Sequence, residues 1–506
     1  MAMAEGTPYK RSLTCEVGEL ELKFRVPAAA LPSLRGALLG HGATSLQLEA
    51  HYFDTVDGLL ARHKIALRVR REGRRWTQAL KTPGDGVVHR LEHEVALAAF
   101  GREVPPLDWH RHDGNPAGNV LSAALAGVPD SVLVERCATQ VERVRCLLHD
   151  ATGSRIEAAL DLGTARAGAR SAPIAELELE HKDGPLQGLF DLALAWQLHG
   201  GLWLCSISKA ERAARLLTPT AGPVARKARV PRLDAGMDAA ALLRAMLQAT
   251  IEQVLANASE VAEGVTEAET VHQLRIGLRR LRTVLRELAA LSPAIAPEWE
   301  REMTHAFVAL GQARDQEAVV AAVRPLLQAA GAPLLAWHAP PAPDLAAAVR
   351  GAGFQATLIA ALTLAHASAE QFVPLAPQAA REFVAARLDA LHRRVTRDGR
   401  RFDRLKPAAQ HRVRKRLKRL RYLAETTTPL WPREALHAYL ERLTTAQDAL
   451  GRHNDVAVAA AAFRADATVY PDAWFAAGFL QAHLPTTARS ARKALRKLAA
   501  SGKCPT

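Results

Sequence analysis

Three charged residues open the first strand-like stretch of the chain: Glu19, Glu21 and Lys23 in GELELKFRV, alternating with Leu20, Leu22 and Phe24. The alternation returns as AELELEH, with Glu176, Glu178 and Glu180. Strands alternate faces, and a solvated charged face is the plain explanation. The chemistry within reach is more specific. Clustered carboxylates bind a hard divalent cation through oxygen, while Lys and Arg hold phosphate oxygens. A metal so placed polarises a phosphoryl group and activates water for in-line attack.

Other segments carry the same mixture. ALRVR sets Arg68 and Arg70 against Leu67 and Val69, and HRLEHEV aligns Arg90, Glu92 and Glu94. TQVER aligns Thr139 and Arg143 with Val141 between them, IEAALD offers Glu157 and Asp161, and SISKAER places Lys209 just after a short apolar run. Turn signals such as KTPGDG separate these short alternating runs, so the region reads as mostly strands with a few helices. Charge of both signs on one side of strand after strand fits a closed antiparallel barrel. Its lumen would be charged, and its apolar exterior could be covered by helices.

What must position these strands is only part of the chain. At 506 residues two or three domains are expected. The linker falls at 218–235, rich in Pro, Gly and basic residues and lacking an apolar period, between domains at 13–217 and 236–500. The first 217 residues hold 26 basic and 26 acidic side chains, which leaves 40 basic and 26 acidic for the rest. The whole net charge of +14 therefore belongs to the second part, which points to a polyanion there. The 5 cysteines are odd in number and scattered, which suits a reducing compartment. The N-terminus lacks the apolar core of a signal peptide, and no run of about 18 apolar residues occurs, so the sequence reads as a soluble cytoplasmic protein.

The second part is Ala/Leu-rich with a period near 3.6, hence helical. It repeats itself: VHQLRIGLRRLR (Val271–Arg282) aligns without gaps on QHRVRKRLKRLR (Gln410–Arg421), and ALGQARD (Ala309–Asp315) on ALGRHND (Ala449–Asp455). Two matches at nearly one offset indicate an internal duplication. On a helical wheel His272, Arg275, Arg279, Arg282 and Arg286 fall beside a stripe of leucines. His411, Arg414, Lys418 and Arg421, flanked by Lys415, repeat the arrangement. Seven like-charged pairs at i,i+3 or i,i+4 lie between Arg412 and Arg421. They cost a free helix roughly 1.5–3.5 kcal/mol, so the surface reads as built for an anion. A phosphate contact suits His272 and His411 better than a metal, since neither has a second histidine at i+4. Asp315 and Asp455 are read as orienting the arginines. The stripes hold no aromatic except Tyr422, so a base-free polyanion fits better than nucleic acid.

Glu19, Glu21 and Lys23 match the ExExK signature of the CYTH, or triphosphate tunnel metalloenzyme, family. YFDT (Tyr52–Thr55), LRVR (Leu67–Arg70), LK (Leu80–Lys81), IEAALDLG (Ile156–Gly163), ELELE (Glu176–Glu180) and SKAER (Ser208–Arg212) follow in the family's order. The helical part resembles the CHAD domain through His272, Arg275, Arg279, His411, Arg414, Lys418 and the two ALG-containing segments. The resemblance implies a multidomain α+β fold: an eight-stranded antiparallel tunnel with flanking helices, then an all-α bundle with an internal duplication. It implies an inorganic triphosphatase that uses Mg²⁺ or Mn²⁺ to convert tripolyphosphate to pyrophosphate and phosphate, beside a polyphosphate-binding helical domain. By motif match Glu19, Glu21, Glu176 and Glu178 would hold metal, with Glu180 or Asp161 as further ligands. Lys23, Arg68, Arg70, Lys81, Arg143 and Lys209 would hold triphosphate, and Glu19, Glu21 and Lys23 form the catalytic signature. Gln140 stands where relatives often carry Asp, and Glu317 replaces a common Asp; both are expected behind the ligating residues.

Two other readings remain open. One is a non-catalytic protein recruited to polyphosphate granules. The other is a tunnel acting on an organic triphosphate, as an adenylate cyclase or thiamine triphosphatase does.

Overall fold

The computed structural model describes residues 19–84, 89–98, 101, 103–127, 133–218, 222–332, 344–502 and 504. The side chains of Glu19, His89, Arg90, His199 and residues 312–318 also lie outside that description. The architecture is mixed α+β. An antiparallel sheet occupies the N-terminal part and helices the C-terminal part.

The strands are β1 (Glu19–Arg25), β2 (Thr44–Asp54), β3 (Ala66–Glu72), β4 (Arg75–Pro83), β5 (His89–Leu97), β6 (Val134–His149), β7 (Arg155–Ala167), β8 (Arg170–Asp183) and β9 (Trp203–Leu204). Between them run helices α1 (Leu31–Gly40), α2 (Leu59–Arg62), α3 (Pro116–Ala124) and α4 (Gln187–Gly200), and α5 (Lys209–Arg215) follows. The sheet order is β5-β4-β3-β2-β6-β7-β8-β1-β9, and a further pairing joins β5 to β1 through Glu19↔Arg90 and Leu20↔His89. Among the described residues nine strands stand where eight were expected. The ninth is the two-residue Trp203–Leu204, too short to carry an alternating pattern, and it pairs with Phe24 and Arg25.

Two compact units divide the chain: Met1–Lys23, Pro32–Gly184 and Ser208–Thr220 in one, Phe24–Leu31, Pro185–Ile207 and Ala221–Thr506 in the other. In the first, alternation does what the sequence demands. Leu67 and Leu80, turned away from the charged face, are fully buried beneath Leu60 of α2 and Ala117, Leu121 and Leu125 in and after α3. At one end of the sheet Leu48, Ala50, Tyr52, Cys137, Val141 and Ile174 pack on Ala213 of α5. That helix is capped by Ser208, whose Oγ accepts from the Glu211 amide at 3.1 Å. Gly163 keeps β7 against β6: a Cβ there would sit 2.0 Å from the Gln140 carbonyl oxygen.

The second unit holds the helices α6 (Ala239–Ala262), α7 (Ala268–Glu287), α8 (Pro297–Ala309), α9 (Gln312–Ala329), α10 (Leu345–Arg350), α11 (Ala352–His366), α12 (Pro377–Gly399), α13 (Pro407–Thr426), α14 (Arg433–Asp466) and α15 (Ala473–Ala499). The repeated basic motif falls on α7 and α13, each preceded by a long helix, α6 or α12. The second repeated motif diverges. Its first copy breaks the chain between α8 and α9, whereas Ala449–Asp455 runs through the interior of α14.

Candidate functional site

The charged faces of the strands line a cavity of about 280 Å³ in the N-terminal unit. Glu21 and Lys23 reach it from β1, Arg68 and Arg70 from β3, Lys81 from β4, and Glu92 and Glu94 from β5. Arg143 enters from β6, Asp161 from β7, Glu178 and Glu180 from β8, and Lys209 from the first turn of α5. The sequence-expected triphosphate ligands thus share one chamber. Glu19 lies on β1, but its side chain is outside the described residues.

Register explains the juxtaposition. Arg143 on β6 faces Asp161 on β7, and Asp161 faces Glu176 on β8, so one row crosses three strands. Arg143 grips Asp161 with both arms of its fork, Nε to Oδ1 and Nη2 to Oδ2, each at 2.7 Å. Its Nη2 also reaches Oε2 of Glu178 at 2.5 Å. Lys81 opposes Glu92 across β4 and β5, with Nζ 3.0 Å from Oε2, and lies 3.9 Å from Glu21. Arg70 pairs with Glu94 at 2.9 Å, and Arg68 stands 3.5 Å from Glu92 and 3.8 Å from Glu94.

Lys209 is the centre of the acidic side. Its ammonium lies 2.8 Å from Asp161 and 3.3 Å from Glu176, and it also contacts Glu178. Burial alone would depress the Lys209 ammonium, but Asp161, Glu178 and Glu176 hold it well above the usual lysine range. Burial alone would raise Glu178, yet Lys209 and Arg143 hold it well below the usual carboxylate range. The Arg143 guanidinium is raised despite burial because Glu178 and Asp161 flank it. Arg70, by contrast, is lowered, first by burial and then by its neighbour Arg68. The shifts on Lys209, Glu178 and Arg143 each favour the charged form.

The expected metal ligands are therefore split. Glu21 and Glu178 line the cavity. Glu176 is fully buried behind it, paired with Lys209 and with Arg212 at 3.5 Å. Glu180 is held by Lys182 at 2.5 Å. No group of three His, Cys, Asp or Glu side chains among the described residues is arranged to hold a metal ion as it stands. The reason is local: the point on which Asp161, Glu176 and Glu178 converge carries the Lys209 ammonium. The donor chemistry still fits a hard cation. The three are oxygen donors, Asp161 and Glu176 are wholly buried, and neither Glu176 oxygen has a hydrogen-bond partner among the described residues.

Some lining residues escaped the sequence reading. Arg145, paired with Glu72 at 3.2 Å, and Lys182 continue the same-face series of β6 and β8, so their spacing was the available signal. Asp54 of the YFDT stretch is structural: its carboxylate accepts the amides of Leu60 at 2.7 Å and Ala61 at 2.9 Å. Gln140 is exposed on the face opposite Thr139 and Val141, not behind the ligands, because strand alternation turns it outward. The side chains of Asp315 and Glu317 lie outside the described residues.

In the helical unit the basic stripes are only partly open. His272, His411, Arg412 and Lys415 are exposed, and Arg414, Lys418 and Arg421 are half-buried. Burial and then the cations Lys415, Arg414 and Lys418 lower the His411 pKa. Arg275 is 8 % exposed and stacks over Phe307 at 4.9 Å, joined by Arg279 at 4.8 Å and Arg282 at 5.7 Å. The stripes read as free of aromatics because Phe307 comes from α8, a helix away in sequence. Repulsion within the stripes is also offset from elsewhere. Glu287, 4 % exposed, binds Arg387 at 2.6 Å and Arg419 at 2.8 Å, and Glu425 binds Arg421 at 2.6 Å and Arg280 at 3.4 Å.

Comparison with known proteins agrees with both units. The chain is 31 % identical over 208 residues to an inorganic triphosphatase of Haemophilus influenzae, covering 38 % of this chain and 53 % of that relative. It thus spans about half the length of the curated relative it matches. Among solved structures, the CHAD domain from Ricinus communis is 27 % identical, covering 56 % of this chain and 99 % of that one, with a TM-score of 0.45. An adenylyl cyclase from Hippeastrum described as having a dominant triphosphatase activity is 19 % identical, covering 40 % of this chain and 96 % of that one, with a TM-score of 0.26. No helix among the described residues is long and apolar enough to cross a membrane. The CYTH domain model matches residues 18–214 and the CHAD domain model residues 245–464, so the chain belongs with the proteins that carry a CYTH domain followed by a CHAD domain.

Proposed function

We propose that the N-terminal domain hydrolyses inorganic tripolyphosphate to pyrophosphate and phosphate with a divalent cation, Mg²⁺ or Mn²⁺, and that the C-terminal domain binds inorganic polyphosphate. The observation that carries the reading is the cavity wall, where Lys23, Arg68, Arg70, Lys81 and Arg143 line the same volume of about 280 Å³ as Glu21, Asp161 and Glu178. On this reading the β5–β1 pairing closes β1 to β8 into an eight-stranded tunnel. Domain limits of 13–217 and 236–500, and a cytoplasmic location at polyphosphate granules, belong to the same proposal. The Haemophilus influenzae relative, an inorganic triphosphatase, supports the substrate class.

Each part of the wall has a task. Arg68, Arg70 and Lys81 offer a row of donors that fits phosphoryl oxygens, and the arginine forks set their orientation. Arg143 holds Asp161 and Glu178 in place by its bidentate grip. Glu21, Glu178, Asp161 and Glu176 would hold the cation, which supplies charge neutralisation and an activated water when bound. Lys209, freed from the three acids, reaches a phosphate oxygen on its flexible stem. Among the described residues Tyr52 is the one aromatic side chain on the wall, so little there would stack on a base, and this favours the inorganic over the organic triphosphate.

Replacing Glu19 and Glu21 together by Gln tests the assignment. Phosphate release from tripolyphosphate should fall at least about a hundredfold, while long-chain polyphosphate binding stays intact. Retained hydrolysis would remove the tunnel from the account.

A further inference from the structure

The helical domain carries a second basic surface that the repeated motifs do not include. Along the exposed side of α12, Arg393, Arg394, Arg397 and Arg400 line a groove of about 510 Å³ with Ala390 and Thr396. All four arginines are exposed. Among the described residues Arg397 pairs only with its neighbour Asp398, at 3.2 Å, and Asp398 is in turn held by Arg416 at 2.5 Å. Arg393, Arg394 and Arg400 make no ion pair among the described residues. Among the described residues, no carboxylate and no aromatic side chain lines the groove.

Helix α6 supplies a comparison of helix faces, matched here on buried positions and not on the 139-residue offset of the repeated motifs. Buried positions on α6 (Leu247, Ile251, Val254, Ala258) and on α12 (Val384, Leu388, Leu391, Val395) fall at the same spacing. In that register Asn257 corresponds to Arg394 and Glu260 to Arg397. On α6 this face is covered: Asn257 is fully buried, accepting the Arg226 amide at 3.0 Å and donating to the Arg226 carbonyl at 2.9 Å. Glu260 is buried with it. On α12 the same face is open, and arginines stand in place of the polar residues that hold covering chain. Gly399 brings the end of α12 onto Leu495 of α15, where a Cβ would sit 3.0 Å from the Leu495 Cβ. The exposed Lys493, Arg496 and Lys497 flank Leu495 on that helix. Nothing in solubility requires four like charges spaced over two turns, and each i,i+3 or i,i+4 pair among them opposes the helix.

We propose that the α12 groove is a second anion site of this domain and takes a chain of inorganic phosphate. The identity of the ligand rests on the polyphosphate reading above; the anion site itself rests on α12. Guanidinium forks match phosphate oxygens, and a lining without aromatics offers no platform for bases. A long chain that engages both the groove and the α13 stripe gains from the linkage, so affinity should rise with chain length.

The test uses the full chain, labelled long-chain polyphosphate and a labelled single-stranded DNA, with binding followed by fluorescence anisotropy over a salt series. The triple variant R393Q/R397Q/R400Q should bind polyphosphate about tenfold more weakly. Its log–log salt slope should be shallower by roughly two to three, for three lost contacts. Hydrolysis of tripolyphosphate should stay at the wild-type rate. Wild-type binding with an unchanged slope in the variant overturns the groove alone. A wild-type chain that binds no polyphosphate overturns the reading of the whole helical domain. A variant that loses DNA but not polyphosphate overturns the assigned ligand.

Discussion

The Lys209 ammonium stands 2.8 Å from the Asp161 carboxylate, at the point where Glu176 and Glu178 also converge. The lysine therefore neutralises the acids on which the proposed chemistry depends. A divalent cation held by these three acids would take the place of this ammonium, and Lys209 would then stand aside from them. Replacing Lys209 by Met should leave three carboxylates short of a partner, which lowers the thermal midpoint without metal. Added Mn²⁺ should then raise that midpoint more in the variant than in the wild type. Thermal melts with and without Mn²⁺ check this, and an equal Mn²⁺ shift in the two proteins would contradict it.

Arg143 is placed to separate charge from geometry. Its fork holds Asp161 at two 2.7 Å contacts and Glu178 at a third. Arg143→Lys keeps the charge but not the fork. Tripolyphosphate hydrolysis should drop about ten- to a hundredfold, and Arg143→Met should lose more. Steady-state kinetics on both variants give the comparison.

His112 predicts an acid-side weakness of the N-terminal unit. It is fully buried, 3.0 Å from the Gln78 amide nitrogen and 2.9 Å from His93. Burial, and then His93, push its pKa down to about 4. A histidine kept neutral in the folded state takes up a proton more readily once unfolded. Its stabilising contribution is whole above the ordinary value of about 6.5 and fades as pH falls toward about 4. The thermal midpoint should decline across that window, and His112→Gln should flatten the decline.

Glu287 ties three helices of the second unit, accepting from Arg387 on α12 and Arg419 on α13 while sitting on α7. Glu287→Ala leaves two arginines without their shared acceptor. Both are partly exposed and recover some hydration, so the cost should be about 1–3 kcal/mol. Denaturant titration of the variant measures it.

Much of this was legible in alternation. Residues two apart on β1, β3, β6 and β8 share a face whatever the tertiary structure, so Glu21, Arg68, Arg70, Arg143 and Glu178 could be gathered before any fold was known. Which charge meets which was not legible. The Arg143–Asp161–Glu176 row depends on strand register, and register is set by turns and bulges that the pattern leaves undetermined. The same limit applied to the helices. Counting like charges along α13 misses Glu287, and searching α7 for aromatics misses Phe307, since both partners come from other helices. The α12 groove was invisible for another reason: exposed arginines look alike in sequence until a fold leaves some of them unpaired.

The most direct test is product stoichiometry. Purified full chain is given tripolyphosphate, ATP or long-chain polyphosphate, each with Mg²⁺, with Mn²⁺ and with a chelator, and phosphate and pyrophosphate are counted separately. The account predicts one pyrophosphate and one phosphate per tripolyphosphate, dependence on the cation, and much slower turnover of ATP. Undiminished hydrolysis in the chelator, or no hydrolysis with either metal, would contradict it.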